Sequence, residues 1–184
     1  IEQKEVKLYA EPVLIPEKPA LISLEYKNCD SVYIRIIPVN TQFKSIKEYS
    51  LSNEKYLQEL LKLNYLHQLN IPVVNNKDYR KQIADYILPS LPVGEYCIIT
   101  STDNLTRKMK PEGYTKTMVK VTNIMMLYRN NSNEFEFFVS NRTTGEPLSK
   151  ARLTGTITAP GRDDKKLENK TLTTDKDGKA TMTI

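Results

Sequence analysis

Apolar and polar residues alternate with a period of two through most of this chain, which is the mark of strands with one buried face. Ile22, Leu24 and Tyr26 alternate with Ser23, Glu25 and Lys27. Val32, Ile34 and Ile36 do so with Tyr33, Arg35 and Ile37. With Asn28-Cys29-Asp30 as the turn between them, the two runs predict an antiparallel hairpin. Strands are likewise predicted within Tyr79–Leu88, across Glu95–Ser101 after the corner Pro89–Gly94, and over Thr115–Val121. Towards the end, Phe135, Phe137 and Val139 form one set, Ala151, Leu153 and Ile157 a second, and Ala180, Met182 and Ile184 a third. Thr144-Gly145-Glu146-Pro147 supplies a turn, and Asp177-Gly178 is a hairpin signal. Near the start, Val6 and Leu8 fit either a first strand or the exit from a preceding domain, ahead of a lead-in punctuated by Pro12, Pro16 and Pro19.

One stretch changes period. From Asn53 to Leu69, Leu57, Leu60, Leu61 and Leu63 fall on one side of a helix, and Lys55, Gln58, Glu59 and Lys62 face away. Ser52 is the expected N-cap, Glu54 suits the first turn, Pro72 is the expected stop, and His67 lies near the C-terminal end. The helix reads as an insertion covering one sheet. The expected fold is therefore all-β: two consecutive immunoglobulin-like antiparallel sandwiches, 1–122 with a helical insertion near 53–69, and 123–184 cut short at Ile184. The second opens on Asn123–Tyr128, whose Met125 and Met126 suit a core edge or, more sharply, a hydrophobic binding surface.

Composition then narrows function. Against 22 acids stand 27 lysines and arginines in 184 residues, a mild excess of five charges with no basic block carrying aromatics, so nucleic acid is not an expected partner. No apolar run is long enough for a membrane helix, and a start at Ile1 without a leader reads as a fragment of something longer. Cys29 shares the parity of the polar residues Ser23, Glu25 and Lys27, and the chain has no Trp to pack on a bridge. Two free thiols are thus preferred to a Cys29–Cys97 disulfide. Tyr96, at a strand start, resembles a tyrosine corner but adjoins Cys97 instead of preceding it by two.

Catalytic and metal motifs are missing from the sequence. The single histidine, His67, has no nearby partner to make it a general base, and neither cysteine has a basic neighbour. None of the six glycines is spaced for a phosphate loop. Asp175-Lys176-Asp177-Gly178 imitates a calcium loop without its later ligands and reads as a turn; Asp163-Asp164 reads as a solvated loop tip. Four Asn-x-Ser/Thr triplets, at Asn104, Asn130, Asn141 and Asn169, are weak signals in an Asn- and Thr-rich chain. Expected catalytic, cofactor-binding and metal residues are therefore none.

Val119–Ile124, then F-F-V-S-N-R-T-T-G-E-P-L-S-K-A-R-L from Phe137 and T-T-D-K-D-G-K-A from Thr173, resemble the start of a macroglobulin-like domain of bacterial alpha-2-macroglobulins. Residues 26–36 and 88–102 are similar to the preceding domain of the same proteins, especially those of Bacteroides-type organisms. The resemblance implies a multidomain endopeptidase inhibitor of the periplasm or cell envelope. In such proteins cleavage of a bait segment triggers a conformational change, and a thioester of the C-G-E-Q type captures the protease. Cys29 is followed by Asp-Ser and Cys97 by Ile-Ile, so neither matches that motif, and no bait segment is recognisable. The implied role is a structural scaffold, without enzyme activity or cofactor. Its partners are adjacent macroglobulin-like domains and, through the full-length protein, proteases, with any membrane tether outside this stretch. The rival reading is a cell-surface adhesion or glycan-binding sandwich.

Overall fold

The computed structural model describes residues 3–106, 114–131, 134–158 and 166–183, which fall into two compact units, Ile1–Thr122 and Asn123–Ile184. Asp163, Asp164, Ile184 and residues 107–113, which were expected to belong to a polar loop, lie outside the described residues.

Unit 1 holds β1 (Glu5–Ala10), β2 (Val13–Leu14), β3 (Ala20–Lys27), β4 (Ser31–Pro38), α1 (Thr41–Ser45), a 3-10 turn (Glu48–Ser50), α2 (Asn53–Lys62), β5 (His67–Pro72), β6 (Gln82–Leu88), β7 (Gly94–Ser101) and β8 (Tyr114–Val121). One sheet runs β1-β3-β6 and the other β2-β8-β7-β4-β5. The first strand changes sheet midway: β1 pairs with β3, then, past Glu11-Pro12, β2 pairs in parallel with Lys120 and Val121 of β8. Every other pairing in the unit is antiparallel. Val6, Leu8, Ile22, Leu24, Tyr26, Ile34, Ile36, Ile98 and Val119 form the core between the sheets.

The outer face of the five-stranded sheet is buried too. Tyr56, Leu57, Leu60 and Leu61 of α2 pack with Ile37, Cys97, Ile99 and Leu105. Strands covered on both sides lose the alternation, which is why Ile36-Ile37 and Cys97-Ile98-Ile99 read as unbroken apolar runs. Each fully buried side chain of this kind is worth about 1.5–3 kcal/mol. The helix thus covers one sheet as its apolar stripe implies, and Ser52 caps it, its Oγ accepting from Lys55 N at 3.4 Å.

Three expectations for this unit fail. The helix ends at Lys62, not Leu69, because Leu63 is extended (φ −68°, ψ 152°), and His67 begins strand β5 opposite Ile36. Leu69 and Ile71 alternate with Gln68 and Asn70, so Pro72 closes a strand and not a helix. Nor do β3 and β4 form a hairpin, since they lie in different sheets and the turn between them is an arch. Asn28 takes the left-handed conformation (φ 55°), which breaks the parity of β3. Cys29 is therefore turned into the core at 4% exposure, not left on the polar face.

Unit 2 holds β9 (Ile124–Asn131), β10 (Glu134–Asn141), β11 (Arg152–Thr158), β12 (Lys166–Thr173) and β13 (Lys179–Thr183). They form one sheet β13-β10-β9 and a two-stranded sheet β11-β12, all antiparallel. The turn at Asp175–Gly178 forms, with Gly178 N donating to Asp175 O at 3.1 Å and Gly178 at φ 71°. It is not a hairpin, because its flanking strands, β12 and β13, pair in separate sheets. The turn expected at Thr144–Pro147 falls earlier, over Asn141–Gly145: Gly145, at φ 76°, donates its N–H to Asn141 O at 2.9 Å, and Pro147 already bridges back to Ser140. The all-β, immunoglobulin-like architecture with a helical insertion in its first unit is thus what the chain adopts.

Candidate functional site

The most constrained polar group is Arg35, one cation in the apolar run Val32–Ile37 and only 7% exposed. Strand pairing sets Gln68 of β5 directly opposite, and Gln68 Oε1 accepts from Arg35 Nε at 3.0 Å. The guanidinium also donates to Leu61 O at 3.1 Å, in the last turn of α2, and to Leu105 O at 2.6 Å, beyond β7. The Tyr65 ring lies 4.6 Å away. A cation suits the carbonyl end of a helix, and a planar fork reaches three segments at once. These contacts occupy the guanidinium in holding the helical insertion to the sheet.

A second charged group sits on β10. Arg129 is opposite Glu136 in the register, its Nε donating to Glu136 Oε2 at 2.6 Å, and Lys179 of β13 pairs with the other oxygen. Hydrogen bonds from Lys179 and then Arg129 hold this carboxyl below its ordinary value. A depressed carboxylate contributes stability that is complete above its unfolded pKa and is lost as pH falls through the folded one. Unit 2 is accordingly expected to weaken as pH drops below the ordinary carboxylate value of 4.5. Glu136→Gln should flatten that part of an acid titration followed by circular dichroism, and an unchanged titration would refute it.

The thiols are buried and apart. Cys29 belongs to the core between the sheets and Cys97 to the cluster under α2. Both are free, as the sequence favoured, although the parity argument had placed Cys29 wrongly. Burial pushes the Cys29 thiol up and the Cys97 thiol up to about 11, the opposite of an activated nucleophile. Native protein at neutral pH should therefore resist iodoacetamide at both positions and take up two equivalents once unfolded in guanidinium. Fast labelling of folded protein would contradict the burial.

The remaining sequence candidates resolve into structure. His67 is half-buried on β5. Tyr96 does make a corner, its hydroxyl donating to Pro92 O at 3.0 Å despite the irregular spacing. Asp175 Oδ1 accepts from Asp177 N and Lys179 N, both at 2.9 Å, so this carboxylate shapes a turn. Asn141 Oδ1 likewise accepts from Thr143 N and Thr144 N. Among the described residues no three metal-ligating side chains converge, and no helix is long and apolar enough to cross a membrane.

Exposed apolar side chains occur on both units, and on unit 2 they include Ile124, Met126, Leu127, Tyr128 and Phe138. Met126 is 55% and Tyr128 68% exposed on the face of β9 that carries Phe137 and Val139 of β10. With Phe135, Leu153, Leu172 and Met182 they line an open cleft of about 390 Å³ between the two small sheets. Sequence reasoning named Met125 and Met126 as a core edge or binding surface; of the two, Met126 lines the cleft, for which the sequence had no signal.

Solved structures of two fragments of Escherichia coli alpha-2-macroglobulin share this fold. The fragment spanning domains NIE-MG1 matches at a TM-score of 0.60 and 17% identity, covering 100% of this chain and 88% of that one. The fragment spanning MG0-NIE-MG1 matches at 0.60 and 15% identity, over 98% of this chain and 57% of that one, so the chain spans little more than half of the larger fragment. No family model matches the sequence, and no curated protein does either.

Proposed function

We propose that this chain is a pair of scaffold domains from a bacterial alpha-2-macroglobulin-like protein, exported to the periplasm or cell envelope and built to trap proteases. The observation that carries the reading is likeness of fold along the whole chain to the NIE-MG1 fragment. The segments Tyr26–Ile36 and Leu88–Thr102, which resemble Bacteroides-type members especially, and Val119–Ile124, Phe137–Leu153 and Thr173–Ala180, which resemble bacterial members, point the same way.

On this reading residues 1–122 take the place of the first domain of that pair and 123–184 open a second, macroglobulin-type sandwich. Neither carries chemistry: Arg35 and Glu136 are engaged in holding strands and helix together, and both thiols are buried. Bait and thioester chemistry, and any membrane tether, belong elsewhere in the parent polypeptide. The partners are its neighbouring domains and, through the whole protein, proteases; nucleic acid is not among them.

The test is to mix the full polypeptide with an endopeptidase and assay what remains. A trap leaves hydrolysis of a small chromogenic peptide intact while blocking digestion of a large protein. Equal loss or equal survival of both activities would refute the reading. A specific hit in a glycan array would favour the adhesion module instead.

A further inference from the structure

The two sheets of unit 1 differ on their outer faces. That of the five-stranded sheet lies under α2, with Leu57, Leu60 and Leu61 packed on Ile37, Cys97 and Ile99. On the outer face of β1-β3-β6, by contrast, Leu21, Ile83 and Ile87 are more than half exposed, Ile83 at 72%. Leu21 lies beside Ile87 and Ser23 beside Asp85, so β6 presents Ile83, Asp85 and Ile87 in one outward row.

The strand β6 is also an open edge. Among the described residues it pairs with β3 alone, and its register runs from Gln82 to Leu88 without a bulge. That span contains no proline and no lysine. Two other edges of the unit are blunted, since β5 ends on Pro72 and β2 lies along the end of β8. A regular edge with unspent N–H and C=O groups beside exposed isoleucines is a template for another strand.

The charges on β6 decide which strand fits. Two copies of it, antiparallel about a two-fold axis, meet each residue with itself or with a neighbour along the strand. With Asp85 on the axis, the two carboxylates would face each other, which is destabilising. With Ile83 on the axis, the isoleucines meet at the centre and Lys81 of each copy lies opposite Asp85 of the other. Lys81 is held on this outer face, its Nζ donating to Glu25 Oε1 at 2.8 Å. We infer that β6 is a self-complementary edge through which two copies of this chain pair in that register. The three strands of each sheet then continue into those of the other. The pairing is independent of protease trapping, so either can fail alone.

Sedimentation velocity and cysteine cross-linking of the full polypeptide, with no protease present, test the inference. A single strand edge is a small contact, so the dimer fraction should rise with concentration. Ile83→Cys should lock the dimer as a disulfide when oxidised glutathione is the oxidant, because facing residues have Cα atoms about 4.5–5.5 Å apart. Ile87→Cys should not, since its two copies would lie about 27 Å apart along the strands. The native thiols are buried and do not compete. Asp85→Lys, which sets like charges against each other twice, should weaken association about tenfold or more. A polypeptide that stays monomeric at every concentration would overturn the inference. So would Ile87→Cys linking as readily as Ile83→Cys, or an Asp85→Lys variant that associates like the parent.

Discussion

Arg35→Met is expected to lower the stability of unit 1 by about 2–4 kcal/mol, because it leaves two buried carbonyl acceptors, Leu61 O and Leu105 O, without their donor at about 1–3 kcal/mol each. Leu61 O, Leu105 O and Gln68 Oε1 all lose a charged donor, and the methionine cannot replace it. Leu61 closes the last turn of α2 and Leu105 is buried under the helix, so the loss detaches the insertion from the sheet. Arg35→Lys should recover only part of the loss, since an ammonium lacks the planar fork that serves three segments. Urea unfolding followed by circular dichroism measures both variants. A loss below about 1 kcal/mol for the methionine variant would mean that water satisfies these acceptors and that the guanidinium does not hold the insertion.

Gly178→Ala is the second large effect, and it falls on unit 2. An added Cβ would lie 2.4 Å from Val139 O, 3.1 Å from Pro147 Cβ and 3.2 Å from Leu148 N. The nearest atom is backbone and cannot swing away, and it already accepts from Leu148 N while Val139 N donates to Gly178 O. Gly178 also sits at φ 71°, where a Cβ costs about 1–2 kcal/mol by itself. Displacing β10 raises the expected total to about 3 kcal/mol or more. Gly145 is the control. It has a similar φ of 76° but nothing within 4 Å of its would-be Cβ, so Gly145→Ala should cost only the backbone term, about 1 kcal/mol. If the two substitutions cost the same, the close approach at Gly178 is not real.

Alternation made the strands legible, and the comparison shows where that signal stops. Ile22, Leu24 and Tyr26 face inward as their spacing implies. Parity says which face of a strand is buried but not which sheet the strand joins, so β3 with β4 and β12 with β13 read as hairpins although each pair is split between two sheets. The end of α2 was hidden because Leu63 continues the helical stripe by one position before Leu69 and Ile71 take up a period of two. Cys29 defeated parity through a single left-handed residue, Asn28.

The polar centres were illegible for a different reason. Arg35 meets Leu61, Gln68 and Leu105, and Glu136 meets Lys179, all distant in sequence and joined only by tertiary pairing. A lone arginine inside V-Y-I-R-I-I was the one available sign, since a charge among buried neighbours must find partners. Tyr96 shows the converse. Its corner was visible in the sequence and set aside for its spacing, yet the hydroxyl reaches Pro92 O all the same.

Whether these layers are a frame or a moving part is decided by hydrogen exchange on the full polypeptide before and after an endopeptidase has cut it. Amides of β4 and β7, where Ile34, Ile36, Ile98 and Ile99 are wholly buried, should exchange as slowly afterwards as before. Loss of their protection on cleavage would contradict the account, because the proposed scaffold role requires unit 1 to stay closed when the polypeptide is cut.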